Sequence, residues 1–144
     1  MTNRYTKETL QALNNKLMTL DSGIWSTKTS FPGSNFTPPD NAPWLKVDYL
    51  FSKPVLIGAF SDAGTYREMG IYQVMVYVPK GNGMFEALDI VDKILGLFQR
   101  GSELTGSGPT VKIERSYRSS PMSEATWMKI PISVDFWWYV PYRS

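Results

Sequence analysis

The segment GIYQVMVYVPKGNGMFEALDIVDKILGLFQRG, residues 70–101, decides the fold of this chain. Its first part, residues 71–78, is rich in β-branched and aromatic residues at both alternating positions, which predicts a strand. Pro79 ends that strand because it has no backbone N–H for a ladder, and residues 80–83 follow as a glycine-rich turn. Apolar residues then recur at the i, i+3, i+4, i+7 spacing of a helix with one apolar face. They are Met84, Ala87, Leu88, Val91, Ile94, Leu95 and Phe98.

The predicted strand is apolar on both of its faces, so it needs cover on both sides. The helix that follows it covers one side. A first helix begins near Thr6, whose hydroxyl can cap it. Its apolar stripe is formed by Leu10, Leu13, Leu17 and Leu20. Two helices cannot cover both sides of such a sheet. We therefore expect one apolar, aromatic face to look outward as an association surface.

Three further strands are predicted from alternating side chains. They are residues 44–51, residues 110–117 and residues 127–139, and Pro131 in the last strand indicates an edge position or a bulge. Residues 55–60 either extend the first of these strands or form a short neighbour.

Together these elements predict an α+β fold. The expected form is a single two-layer domain over residues 1–144, with a mixed or antiparallel sheet of four to five strands and two helices packed on one face. The stretch 118–124 before the last strand is predicted as a loop. A chain of 144 residues suits one domain and can bury about two-thirds of its unfolded surface.

Aromatic residues make up 14% of the chain, with five Trp, eight Tyr and seven Phe, a high share for a soluble protein. Such rings are enriched at protein interfaces, so we expect some of them at subunit contacts; a crowded core in a monomer is the alternative. The net charge of +2 is too small to argue for nucleic-acid or membrane binding. Without a signal peptide or an apolar run of membrane-spanning length, the chain is expected to be made in the cytoplasm and to have no membrane partner.

The residues offer no equipment for catalysis or for binding a metal or cofactor. The chain has no histidine and no cysteine, which excludes Ser/His/Asp chemistry, thiol nucleophiles and thiolate metal sites. Asp89 and Asp92 lie one helical turn apart on the polar face, where a solvated surface pair is favoured. The glycine-rich turn lacks a dinucleotide fingerprint, because Glu86 stands at the position of the third glycine. We therefore predict no catalytic residue, no cofactor and no metal ion.

A basic and aromatic patch near Tyr117 is the one signal for nucleic acid. Lys112, Arg115 and Arg118 could bind a single strand together with that ring. Strand alternation, however, places Lys112 and Arg115 on opposite faces. Single-stranded nucleic-acid binding is therefore a minor alternative.

Several motifs, taken in order, resemble those of tail terminator-like proteins of long-tailed, siphovirus-type bacteriophages. They are Asn35-Phe36-Thr37-Pro38-Pro39, Pro43-Trp44-Leu45-Lys46-Val47, Gly70-Ile71-Tyr72-Gln73-Val74, Tyr77-Val78-Pro79-Lys80-Gly81 and the closing Ile130-Pro131-Ile132-Ser133-Val134. The likeness spans about residues 1 to 140, and the order and spacing of the motifs are hard to match by accident.

The resemblance implies a structural virion protein rather than an enzyme. Proteins of this family form a homo-oligomeric ring, commonly a hexamer, on the completed tail tube, where they stop tube growth and present a surface to the head-tail connector protein. Genomic DNA passes through the channel without specific binding, which suits a weak net charge. The implied location is the virion tail, after assembly in the host cytoplasm. The alternatives are another neck or tail-completion protein, or a small single-stranded nucleic-acid-binding protein.

Long segments without regular structure often carry function, which directs attention to two loops. The proline-rich loop around Asn35 and Phe36 and the loop of residues 61–67 are expected to reach neighbouring subunits or the tail tube; disordered connections are the alternative. For the aromatic residues 136–138 of the last strand, a subunit contact and a core role are both open. The predicted contact residues are Asn35, Phe36, Asp62, Tyr66, Arg67, Tyr72 and Trp137.

Overall fold

The structure, a computed structural model, describes residues 4–57, 65–81 and 83–141. Within these ranges the helices are α1 (Thr6–Leu17), a 3-10 helix (Leu20–Thr27) and α2 (Met84–Leu97). The strands are β1 (Thr29–Ser30), β2 (Trp44–Phe51), β3 (Val55–Ile57), β4 (Thr65–Pro79), β5 (Glu103–Leu104), β6 (Val111–Arg118), β7 (Met122–Glu124) and β8 (Trp127–Pro141). The predicted α+β class is confirmed.

All eight strands of the described residues belong to one sheet with the order β1-β2-β4-β8-β6-β5, in which β3 also pairs with β4 and β7 with β8. β1 is parallel to β2, and every other pair is antiparallel. β4 and β8 pair along 15 residues each and form the centre of the sheet. The prediction of four to five strands was too low, because four strands have only two or three residues and show no period. One of them, β7, lies in the stretch predicted as a loop.

Both helices cover the same side of the sheet, as predicted, and we call this side the core face. Leu13 and Leu17 of α1 and Val91 and Ile94 of α2 are fully buried against alternate residues of β4 and β8. Those strand residues are Tyr72, Val74, Val76, Val78, Ile130, Ile132, Val134, Phe136, Trp138 and Val140. Each large apolar side chain contributes about 1.5–3 kcal/mol on full burial, so the core face supplies most of the apolar stabilisation.

The opposite side of the sheet is not bare, which corrects the simple two-layer expectation. Residues 31–43 bring Phe36 over this side, with its ring centroid 5.4 Å from that of Trp44. Trp44 stacks on Tyr77 at 4.1 Å, and both side chains are buried, at 8% and 6% exposed. Burial raises the pKa of Tyr77 above its ordinary value. A partial third layer of chain therefore covers this end of the sheet.

Pro131 lies in a central strand, so the expected edge position or bulge was wrong. Its carbonyl accepts a hydrogen bond from Ser119 N–H at 2.9 Å. The N and the C=O of one strand residue point to the same side, so the missing N–H faces the side of β6. There the β6 ladder ends at Ile132 and the β7 ladder begins only at Lys129. The proline thus falls in a gap between two strands, where no donor is needed.

Tyr72 belongs to the core face, which corrects the prediction that it contacts a neighbouring subunit. Its side chain is fully buried, and its hydroxyl donates to Asn14 Oδ1 at 2.8 Å. The Asn14 amide donates in turn to the Tyr49 hydroxyl at 2.8 Å. Burial raises the pKa of Tyr72 well above its ordinary value. The side chain ties α1 to β2 and β4 and is not accessible to a partner.

Candidate interaction surface

The side of the sheet that faces away from the helices carries the candidate site, and we call it the open face. The register of β4 with β8 places Met69 opposite Trp137 and Ile71 opposite Asp135. Because successive side chains of a strand alternate, these odd-numbered positions point away from the core face. They lie toward the opposite end of the sheet from the contact between Phe36 and the stacked rings.

Trp137 is the centre of a charged and aromatic cluster on the open face. Arg67 Cζ lies 5.5 Å and Lys112 Nζ 5.6 Å from the centroid of its ring, both in the range of a cation–π interaction. The indole N–H donates to Glu114 Oε2 at 3.2 Å, and Tyr139 meets the ring edge-on at 4.9 Å. The ring is thus held on several sides while it stays only half-buried.

A β-bulge in β6 brings more charge to this cluster. The register of β6 on β8 shifts between Ile113 and Arg115, so that Lys112 and Arg115 both face the open side. The prediction that they lie on opposite faces was wrong, because strict alternation cannot reveal an inserted residue. Arg115 Nε donates to Asp135 Oδ2 at 2.6 Å, and this bond raises the pKa of Arg115.

A cleft of about 290 Å³ opens beside Trp137. Two buried atoms there, Arg67 Nε and Asp135 Oδ1, have no hydrogen-bond partner among the described residues. Leaving a buried donor or acceptor unpaired costs about 1–3 kcal/mol. The wall of the cleft therefore holds one unpaired donor and one unpaired acceptor among apolar side chains. Its lining is Ser52, Arg67, Met69, Gly70, Ile71, Glu114, Asp135, Phe136 and Trp137.

Two predicted contact residues that are distant in sequence, Arg67 and Trp137, meet in this cleft. Their neighbours Met69, Glu114 and Asp135 were missed, because none of the three stands out in its own strand. The signal that could have found them is strand pairing: the register of β4 with β8 sets Met69 and Asp135 near Trp137, and the pairing of β6 with β8 adds Glu114.

The other predicted contact residues lie elsewhere. Asn35 is exposed on the loop of residues 31–43, whereas Phe36 is half-buried on the aromatic stack described above. Tyr66 is half-buried in β4, which begins at residue 65, so the end of the predicted 61–67 loop is strand. Asp62 lies outside the described residues.

The cluster is suited to recognition rather than to reaction. The charged side chains around Trp137 are Arg67, Arg100, Lys112, Arg115, Glu103, Glu114 and Asp135. Four cations against three carboxylates leave little surplus positive charge for a phosphate backbone. No group of three or more possible metal ligands occurs among the described residues. Likewise, none of the helices in the described ranges is long and apolar enough to cross a membrane.

Comparison with known families gives one match over most of the chain. The model of a family described as phage tail terminator protein matches residues 8–136. None of the curated proteins matches the chain.

Two solved structures resemble the fold over nearly the whole chain. One, whose description names no function, has a TM-score of 0.68 and 20% sequence identity and covers 94% of this chain and 95% of that chain. The other is described as the virion of a native gene transfer agent particle, with a TM-score of 0.55, 12% identity, and 96% and 99% coverage. At such identities the likeness establishes a shared fold.

Proposed function

Because this chain belongs to the phage tail terminator protein family, we propose that it forms a ring that caps the tail tube, ends tube elongation and provides the surface to which the head joins. The family match over residues 8–136 is the observation that carries this proposal. Membership makes the chain a structural protein of a phage tail, and the role that we propose for it involves no catalysis. Its proposed partners are further copies of itself in a hexameric ring, the tail tube protein and the head-tail connector protein.

An exposed apolar group supports association through the sheet margin. Leu50, Phe51, Val55 and Leu56 are each 44–56% exposed, at the end of β2 and in β3. Their strands pair with the same part of β4 that lines the Trp137 cleft. Clustered apolar side chains at a sheet margin are typical of a surface that a partner covers.

The balanced charge of the chain supports the proposed passage of DNA. A channel that transmits DNA must not hold it, and every phosphate contact to Lys or Arg adds to retention. With 15 Lys and Arg against 13 Asp and Glu, the chain has little excess charge for such contacts. The proposed location is the tail of the virion, after assembly in the host cytoplasm.

Addition of the purified chain to polymerising tail tubes tests this function. We expect tube growth to stop, and electron micrographs to show extra density at one tube end. Leu56→Ser should weaken this capping, whereas Met122→Ser is the matched control, because both residues are exposed members of three-residue strands. Intact tubes that keep growing with bare ends in excess wild-type chain would refute the proposal. Binding to the connector but not to tubes would instead indicate a neck or tail-completion protein.

A further inference from the structure

The first turn of α2 presents an aromatic side chain that the fold does not use. Phe85 is 88% exposed, whereas Ala87 and Ile90 of the same helix are buried against the sheet. Other exposed large apolar residues of the described chain, such as Ile24 and Phe51, are only about half exposed. A phenyl ring this open contributes nothing to the stability of one copy. It is the kind of anchor that interfaces bury in a pocket.

We propose that Phe85 of one copy of this chain inserts into the Trp137 cleft of a second copy. This inference rests on the proposed function, because it names the contact that would join neighbouring subunits of the ring. The phenyl ring of Phe85 cannot occupy the cleft of its own chain. α2 lies on the core face of the sheet, whereas the cleft lies on the open face.

The cleft is large enough to hold the phenyl ring of Phe85. A cavity of about 150 Å³ is sufficient to hold benzene. The cleft of about 290 Å³ therefore has room for a phenyl ring and for part of the helix turn that carries it. Met69, Ile71 and Trp137 supply apolar and aromatic walls, and Arg67 adds a cation that can lie against the inserted ring.

The polar groups beside Phe85 complement the two unpaired atoms of the cleft. Glu86 follows Phe85 and is exposed, so its carboxylate can accept from Arg67 Nε. The N-cap residue Gly83 makes no side-chain cap, which leaves backbone N–H groups of the first turn available. These donors, at the positive end of the helix, suit the free Asp135 Oδ1. With a small shift of the Arg67 and Asp135 side chains, insertion would thus give partners to a donor and an acceptor that are otherwise buried unpaired.

The positions of the two halves of this contact determine its symmetry. Phe85 and the cleft lie on opposite sides of the sheet, so one two-fold interface cannot contain both. Each copy must instead use its cleft toward one neighbour and its Phe85 toward the other. Such head-to-tail contacts generate closed rings when the rotation between subunits closes.

Cysteine cross-linking tests the contact directly, because the chain has no cysteine of its own. The variants are Phe85→Cys and Met69→Cys, with Ile24→Cys as the control, since Ile24 is also exposed (55%) but lies in the 3-10 helix. Oxidised mixtures of Phe85→Cys and Met69→Cys should give a covalent dimer, and the double variant a ladder of higher species. Mixtures of Ile24→Cys and Met69→Cys should give neither. The samples are oxidised both free in solution and bound to tail tubes.

An affinity measurement accompanies the cross-linking. Phe85→Ala should weaken self-association at least about tenfold, the effect of losing a buried aromatic anchor. Its fold should be unchanged because the side chain is exposed. Ile24→Ala should shift association by less than about twofold.

The outcomes separate this inference from the proposed function. Wild-type chain that caps tubes while the Phe85→Cys and Met69→Cys mixture stays unlinked would overturn the contact and leave the function standing. A covalent ladder from chains that never cap tubes would refute the proposed function and leave the contact standing. Cross-linking of Phe85→Cys to the tube protein, or a chain that stays monomeric in solution and on tubes, would also overturn the contact.

Discussion

Gly70→Ala tests the packing of the segment that decides the fold. A Cβ atom at Gly70 would lie 2.5 Å from the carbonyl oxygen of Leu50 and 3.0 Å from Cζ of Phe136. The second contact can be relieved by a small movement of the ring. The first cannot, because the oxygen belongs to the backbone of β2, which pairs with β4 at this point. We therefore expect β2 to be displaced from β4.

The expected loss of stability follows from two opposing effects. Overpacking of this kind costs about 1–3 kcal/mol, and a clash with backbone belongs at the upper end of that range. Replacing glycine by alanine recovers about 0.4–1 kcal/mol, because the unfolded chain has less freedom to lose. The net loss at Gly70 is therefore about 2 kcal/mol. For a chain of this size that corresponds to a fall in Tm of about 4–8 °C.

Urea unfolding followed by tryptophan fluorescence measures this loss, at a protein concentration where the chain is monomeric. The midpoint should fall with an unchanged m value, since the surface exposed on unfolding stays the same. Gly96→Ala is the matched control: Gly96 lies inside α2 with nothing within 4 Å of the added Cβ. It should stabilise by about 0.5–1 kcal/mol through helix propensity. If Gly70→Ala were as stable as the wild type while Gly96→Ala behaved as expected, the close approach of β2 to Gly70 would be refuted.

Two further changes test a buried hydrogen bond and a carboxylate. Tyr72→Phe removes the donor to Asn14 Oδ1 and should lower the free energy of unfolding in urea by about 1 kcal/mol. Self-association measured by light scattering should stay unchanged. A loss of self-association without a loss of stability would instead place Tyr72 at a subunit contact. The pKa of Asp21 lies below its ordinary value of 3.8, chiefly because Trp25 Nε1–H donates to it, with Lys93 adding to the effect. A carboxyl group whose pKa is lower in the folded state stabilises the fold at pH values above its unfolded-state pKa. This stabilisation is lost as the pH falls through the folded-state pKa. Asp21→Asn should therefore lose less stability than the wild type between about pH 5 and 2, and equal pH profiles would contradict the assignment.

The periodicity of the sequence correctly predicted those helices and strands whose own residues show the complete pattern of buried and exposed positions. The predicted strand of residues 44–51 coincides with β2 (Trp44–Phe51), and the apolar stripe that begins at Met84 coincides with the start of α2. Both have a buried face that repeats at the period of the element, so the pattern is visible without knowledge of the neighbours. The assignment of both helices to one side of the sheet came instead from the packing rule that a domain is built from two layers.

The errors arose where a neighbouring strand decides the structure. Pro131 is tolerated in a central strand because β6 ends and β7 begins on either side of it. The sequence of β8 alone does not show where these two neighbours end and begin. The bulge before Arg115 is likewise defined against β8, so alternation along β6 alone assigned the wrong face. Tyr72 was placed at an interface because both faces of its strand are apolar, and only the packing of α1 shows which face is core.

The open face explains why the candidate site was found only in part. Trp137 and Arg67 are conspicuous as single residues, and each was predicted as a contact. The property that makes them a site is a shared cleft whose wall holds the unpaired Nε of Arg67 and the unpaired Oδ1 of Asp135, and this cleft exists only after three strands are in register. In a sum of charges over the sequence these two groups cancel, whereas in the structure each has an atom without a hydrogen-bond partner among the described residues.

The proposed head-to-tail contact also bears on when the ring would form. One phenyl ring in one cleft buries much less surface than the roughly 1,200–2,000 Å² of a stable protein interface. Such a contact should therefore be too weak to hold free subunits together at low concentration. A tail tube that bound several copies side by side would raise their effective concentration, and the same weak contact would then close the proposed ring. A weak, directional contact is suited to this role, because a head-to-tail surface that bound strongly in solution would close rings before any tube was available to cap.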